Sequence, residues 1–184
     1  ALIRFIALLD YKHSTGFDFE SSRDALEKKR VEDTYRVISL SFSNSGGPGA
    51  VDDYFAKSGH QPYEVDIYRN LGEFYLEKRR YNDAAVTYKA FVKRNPLHKV
   101  SPGFDMQVID IYKKGGFPKL VIDSSKDFAR SYGLKSEYWK HFDPKTHVEV
   151  VGYLKSNLKD LANHYHALYQ DKRQDKAKDA NFQE

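Results

Sequence analysis

The chain has no cysteine. That absence excludes disulfide staples and thiolate metal sites, and it leaves the redox compartment open. β-Branched clusters and glycine-based hairpin signals are scarce, which argues against a sheet and for an all-α design. No apolar run approaches the ~20 residues that a membrane-spanning helix needs. Residues 1–10 are apolar, but the run is short, Arg4 interrupts it, and no cleavage-site pattern follows; it reads neither as a membrane anchor nor as a signal peptide. Neither sign of charge dominates. Thirty Lys and Arg face 26 Asp and Glu, a formal net charge of +4. The basic residues are scattered among acids, so no nucleic-acid footprint is expected.

Catalytic patterns are missing as well. There is no Gly-x-Ser-x-Gly, and the glycine-rich run at 46–49 is not followed by Gly-Lys-Ser/Thr, so it is not a phosphate-binding loop. His164 and His166 stand at i, i+2 and point to different sides of a helix, whereas helical metal ligands want i, i+4. His141 and His147 reach them only by folding. Paired acids such as Asp52 with Asp53, and Glu73 with Glu77, belong on solvated helix faces. No catalytic residue, metal ligand or cofactor site is expected, and none is assigned.

What the chain does have is aromatic residues, 14 Tyr and 12 Phe, in a length of 184 that suits one compact domain or a short solenoid. Residues 66–96 organise them. Tyr68, Leu71, Gly72 and Tyr75 fall at i, i+3, i+4, i+7, one face of a helix. After a break at 78–81, Ala84, Tyr88 and Phe91 fall at i, i+4, i+7. Gly72 and Ala84 are the small members of the two stripes and allow two antiparallel backbones to approach. Pro96 stops the second helix, because it lacks the N–H and clashes with the preceding turn.

These residues resemble a tetratricopeptide repeat (TPR), a helix–turn–helix unit of about 34 residues. Its slots are filled by Tyr68, Leu71, Gly72, Tyr75, Ala84, Tyr88, Phe91 and Pro96. The pattern recurs upstream: Ile38 and Leu71, Phe42 and Tyr75, Val51 and Ala84, and Phe55 and Tyr88 are all separated by one and the same offset. A fixed offset across apolar positions is a repeat signature, with Ser39 in the slot that Gly72 fills. Downstream, Val108, Tyr112, Val121 and Phe128 follow Leu71, Tyr75, Ala84 and Phe91 at a second constant offset, longer because of the connection at 97–102. Ile109 takes the glycine slot there. The expected architecture is an α-α superhelix, a single TPR domain over 1–184 with repeats at about 32–62, 65–98 and 101–133. A partial repeat at about 145–184 follows, and a flanking helix at 1–12 precedes.

The remaining expectations concern the flanks. Leu2, Phe5, Ile6 and Leu9 form one face of the first helix. A long helix over about 20–44 turns Leu26, Val31, Tyr35, Ile38 and Phe42 to the core, and a second covers about 50–57. Trp139 is expected as a buried wedge in a short helix at 136–142. In a last helix at about 145–170, Leu158, Leu161, Ala162 and Tyr165 repeat the i, i+3, i+4, i+7 spacing of Tyr68, Leu71, Gly72 and Tyr75. Residues 171–180 read as a solvated loop, and residues 181–184 as a turn like that at 80–83. Beginning at Ala and ending half-way through a repeat, the chain reads as a piece of a longer array. Its last helix is expected to expose an apolar face that invites a homodimer contact.

The runs at 36–42, 70–76, 115–118 and 158–166 are similar in style to large TPR proteins of Gram-negative bacteria, including outer-membrane assembly and Tol-associated periplasmic ones. The similarity implies a location in the periplasm or cell envelope and a scaffolding role. The family's chemistry is recognition: the first helices of successive repeats line a concave groove for a protein or peptide partner. The resemblance places Arg69, Asn70, Glu73, Leu76 and Glu77 there for the central repeat. It adds Arg36, Leu40 and Ser43 before it, Met106, Asp110 and Lys113 after it, then Lys159, Asn163 and His166. A clamp for a terminal carboxylate is not expected, because Glu73 would repel it. The basic runs at 28–30 and 78–80 are favoured at helix ends by the macrodipole, at roughly 0.3–1 kcal/mol per residue. Two other readings stand beside groove binding. One is a spacer without a ligand, marked by groove residues that pair among themselves. The other is a metal-dependent or enzymatic module, which would need metal at His141, His147, His164 or His166.

Overall fold

The computed structural model describes residues 2–17 and 24–181. Among the described residues the chain is all-α, with nine helices and no strand. They divide between two compact units, Ala1–Phe117 and Pro118–Glu184. The expected third repeat therefore has its first helix in one unit and its second in the other.

In the first unit, α1 (Leu2–Ser14) buries Ile6 and Leu9 against α2 (Ala25–Asn44). The Asp24 carboxylate starts α2 by accepting the Leu26 and Glu27 N–H groups at 2.9 and 3.3 Å, satisfying donors that the first turn leaves free. That placement corrects one expectation: Leu26 sits in the first turn and is 59% exposed, and the buried stripe of α2 begins at Val31. The expected start of this helix near residue 20 lies outside the described residues. α3 (Pro48–Ser58) starts two residues earlier than expected, with Pro48 in the first turn, where its missing N–H costs nothing.

α4 (Glu64–Glu77) and α5 (Tyr81–Arg94) form the central hairpin and pack on each other along their length. Every residue of the two expected stripes is buried: Tyr68, Leu71, Gly72 and Tyr75 on α4, and Ala84, Tyr88 and Phe91 on α5. The glycine is required by contact, since a Cβ at Gly72 would stand 2.6 Å from the Tyr88 ring. The turn between the helices is closed by two hydrogen bonds. Arg79 N–H donates to the Leu76 carbonyl and Arg80 N–H to that of Tyr75, both at 2.9 Å. Arg79 adopts φ 56°, a left-handed position that glycine usually takes. α2 packs on α4, and α3 packs on α5. The four pairs of positions that share the upstream offset are all buried. α6 (Ser101–Gly115) packs on α5 and ends at Gly116 in the left-handed region. Aromatic rings link these helices: Phe55 with Tyr68, Tyr68 with Phe91, and Phe104 against both Tyr88 and Phe91, at centroid separations of 4.9–6.2 Å.

A buried ionic network pins the central hairpin to α3. Glu64, 3% exposed, accepts Arg94 Nε at 2.9 Å and Asn95 Nδ2 at 3.1 Å, while Arg94 Nη2 donates to the Phe55 carbonyl at 2.6 Å. The Tyr63 and Tyr68 hydroxyls donate to Asp10 and Asp52. Burial, reinforced by those carboxylates, pushes both phenols well above their ordinary range and keeps them protonated.

In the second unit, α7 (Pro118–Tyr132) packs on α8 (Tyr138–His141) and α9 (Val148–Asn181). Two expectations are corrected here. The buried wedge of α8 is Tyr138, against Tyr132 and Phe142, whereas Trp139 is half-buried and its indole donates to the Tyr132 carbonyl at 2.8 Å. α9 buries Val150, Leu154, Asn157 and Leu161, the stripe that faces its partner helix α7. Leu158, Ala162 and Tyr165 lie one residue further round, a rotation of about 100°. They are exposed, with Leu158 at 49% and Tyr165 at 46%. Finally, residues 171–180 are helical rather than a loop. No Gly or Pro follows Gly152, and Ala, Lys, Arg and Gln are good helix formers. The expected turn at 181–184 falls mostly outside the described residues.

Candidate protein-binding groove

α2 and α4 face one another with stripes of matching spacing. Glu32, Arg36 and Ser39 stand at i, i+4, i+7 on α2, and Asn70, Glu73, Phe74 and Glu77 at i, i+3, i+4, i+7 on α4. Together they line an open cleft of about 190 Å³. Four of the expected groove residues, Arg36, Asn70, Glu73 and Glu77, thus share one site. A second cleft, about 140 Å³, lies between α4 and α6 and is lined by Arg69, Glu73, Tyr88, Gly103, Phe104 and Gln107. Glu73 belongs to both.

The charges in the first cleft are unevenly matched. Arg36 has Asp33 at 3.8 Å, one turn away on its own helix. Glu32, Glu73 and Glu77 have no ion-pair partner among the described residues. Glu73 is exposed, yet partial desolvation in the cleft raises its carboxyl above the ordinary range; Arg69 opposes that shift, and Glu77 and Asp66 add to it. Asn70 donates Nδ2 to the Asp66 carbonyl at 2.8 Å, which leaves its amide oxygen as the acceptor. In the second cleft, Arg69 is paired with Asp66 and lies over the Phe104 ring at 5.9 Å.

The other expected groove residues sit elsewhere. Met106, Asp110 and Lys113 lie on α6 outside both clefts, and Asp110 pairs with Lys113 at 3.8 Å. The α6 side chains that reach the second cleft are Phe104 and Gln107. Lys159, Asn163 and His166 lie on α9 in the second unit, and the His166 ring is 3.0 Å from Gln170. The basic run at 78–80 is engaged locally. Lys78 lies over Phe74, while Arg80 pairs with Asp83 at 2.7 Å and lies over Tyr75. Among the described residues no group of three His, Asp or Glu side chains is placed to hold a metal ion.

A third cleft, about 590 Å³, lies between α1 and α2 and was not anticipated. Phe5, Leu8, Tyr11 and Val37 supply its apolar wall. Glu27 at its rim is held by Lys12 and by Arg30 at 2.7 Å, and these hydrogen bonds, Lys12 first, keep its carboxyl below the usual range. Local spacing carries no signal for this cleft, because α1 and α2 meet only through tertiary packing.

The chain matches no family model, no curated protein and no solved structure. Among the described residues no helix is long and apolar enough to cross a membrane. The geometry of these clefts therefore carries the functional argument.

Proposed function

We propose that this chain is a TPR-type protein-binding segment without catalytic activity, and that it grips an extended partner peptide along the α2–α4–α6 side of its first unit. The single observation that carries the reading is the cleft pair meeting at Glu73. Two shallow, mixed clefts in series on neighbouring first-position helices suit successive side chains of an extended peptide. Support for the repeat comes from the four buried pairs at one constant offset, and from the packing of α2 on α4 and of α3 on α5. On the family resemblance, the chain would act as one module of a scaffold in a Gram-negative cell envelope.

The spacer reading draws on one observation, the local pairing of Asp110 with Lys113. The unpaired carboxylates of the first cleft weigh against it, because a face without a ligand gains nothing from holding like charges together. The test is capture from a Gram-negative envelope extract on immobilised chain, compared with an Arg69→Ala/Gln107→Ala variant of unchanged melting temperature. A partner held by the parent and lost by the variant supports groove recognition. No partner, or equal capture, sinks it in favour of the spacer.

A further inference from the structure

We propose that the cleft between α2 and α4 is a seat for an arginine side chain of the partner peptide. The proposal rests on the protein-binding reading above and names the chemistry recognised. Three carboxylates, Glu32, Glu73 and Glu77, line the cleft against one guanidinium, Arg36, which already has Asp33 beside it. Glu73 and Glu77 stand at i, i+4 on one helix, where like charges destabilise. A bound cation would relieve that repulsion.

An independent observation points the same way. Ser39 lines the cleft, is 1% exposed, and its Oγ has no hydrogen-bond partner. Helical serines commonly satisfy themselves on the carbonyl one turn back, as Ser41 does on Val37 at 2.8 Å. A buried hydroxyl left alone is destabilising, and a donor seated on the cleft floor beside it would supply the partner it lacks.

The shape and lining select guanidinium over other cations. The carboxylates do not converge as a metal site would require, and the cleft has room for an extended group. Its acceptors are spread over two helices: three carboxylates, the Asn70 amide oxygen and the Ser39 hydroxyl. Guanidinium offers five N–H donors in a plane, whereas ammonium is a compact point with three. Phe74 adds an aromatic wall, and guanidinium stacks on such surfaces. The Lys78 ammonium already lies over that ring, 4.7 Å from its centroid, so an incoming guanidinium stacks by taking the other face or displacing it.

The test is titration of the full chain with an end-capped Gly-Ser-Arg-Ser-Gly peptide, followed by amide chemical shifts. The expected result is saturable shifts clustered at Ser39, Asn70, Glu73 and Glu77. Glu73→Gln/Glu77→Gln should weaken binding about tenfold or more, a charge-assisted contact being lost. Asp53→Asn/Asp171→Asn, an equal change of net charge away from the cleft, should not. Ser39→Ala should weaken binding severalfold without loss of fold. Absence of shifts up to about 10 mM peptide, a standard free energy near −3 kcal/mol, overturns the proposal. So does equal binding of the citrulline or lysine peptide, or the same shifts produced by Ca²⁺ alone. If the arginine peptide fails while Arg69→Ala/Gln107→Ala still loses a captured partner, the arginine seat is wrong and groove recognition stands. If both fail, the groove reading falls with it.

Discussion

The two hairpins of the first unit, α2 with α3 and α4 with α5, occupy the same frame one repeat apart, yet different forces hold them. At the frame position of Glu64 the first hairpin has Val31, buried and apolar, while Glu64 holds a buried ionic network. Where the central hairpin has Gly72, pressed against Tyr88, the first has Ser39 with an unpartnered hydroxyl. Where the central turn has Arg79 at φ 56°, the first has Gly46 at φ 117°. The frame needs only large apolar residues at most of the shared core positions. Everything between them is free to serve closure, as Gly72 and Arg79 do in the central hairpin, or to line the polar cleft that the two hairpins share.

Exchanging residues across that offset tests the comparison. The largest effect is expected at Glu64. Glu64→Val, the first hairpin's residue, leaves Arg94 half-enclosed without its carboxylate and should cost about 3–5 kcal/mol. Adding Arg94→Gln, which copies the residue at 61, should recover much of that loss in urea unfolding. A single-variant loss under about 1 kcal/mol would show that the network is idle.

Gly72→Ser comes next. Its Cβ must displace the Tyr88 ring from 2.6 Å, and overpacking of this kind costs about 1–3 kcal/mol. The reciprocal Ser39→Ala should be neutral or stabilising by up to about 1 kcal/mol, because it removes an unsatisfied buried hydroxyl. A thermal melt that ranks the two variants the other way round would refute the assignment of closure to the central hairpin. Arg79→Gly relieves a left-handed non-glycine residue and should stabilise by about 0.5–1 kcal/mol.

The smallest effect is the pH dependence at Glu73, which has the exposed Leu40 as its counterpart. Partial desolvation in the cleft raises the carboxyl of the exposed Glu73 in the folded chain. The folded state therefore binds more protons than the unfolded one between the two pKa values, and this group's contribution to stability falls as pH rises through that window. Glu73→Gln removes the decline. Parent and variant should coincide below the ordinary carboxylate range, with the variant the more stable at neutral pH. Equal pH profiles would mean that the cleft does not desolvate Glu73.

The hairpins were legible because their cores are local. Each stripe of α4 and α5 lies within one helix, and the constant offset carries it to α2 and α3 without knowledge of the packing. The buried face of α9 was not legible, for the converse reason. Leu158, Ala162 and Tyr165 match the motif of α4, but α7 covers Val150, Leu154, Asn157 and Leu161 instead. Of the cleft linings, Arg69, Asn70, Glu73 and Glu77 on α4 and Arg36 on α2 follow from their register, whereas Leu76 lines neither cleft and Phe74 takes a place that register did not assign. Glu32, Ser39 and Gln107 could not be singled out, because which polar groups meet across two helices depends on their relative rotation and separation.

By itself the sequence determined that the chain is helical, where the central turn falls, and which four pairs of positions are buried, because helical period and small-against-large spacing are short-range properties. Tertiary structure alone decided that Glu64 meets Arg94 on the next helix, that Glu73 opens to two clefts, and that Ser39 is left without a partner. Those are distances between side chains on different helices, and only packing sets them.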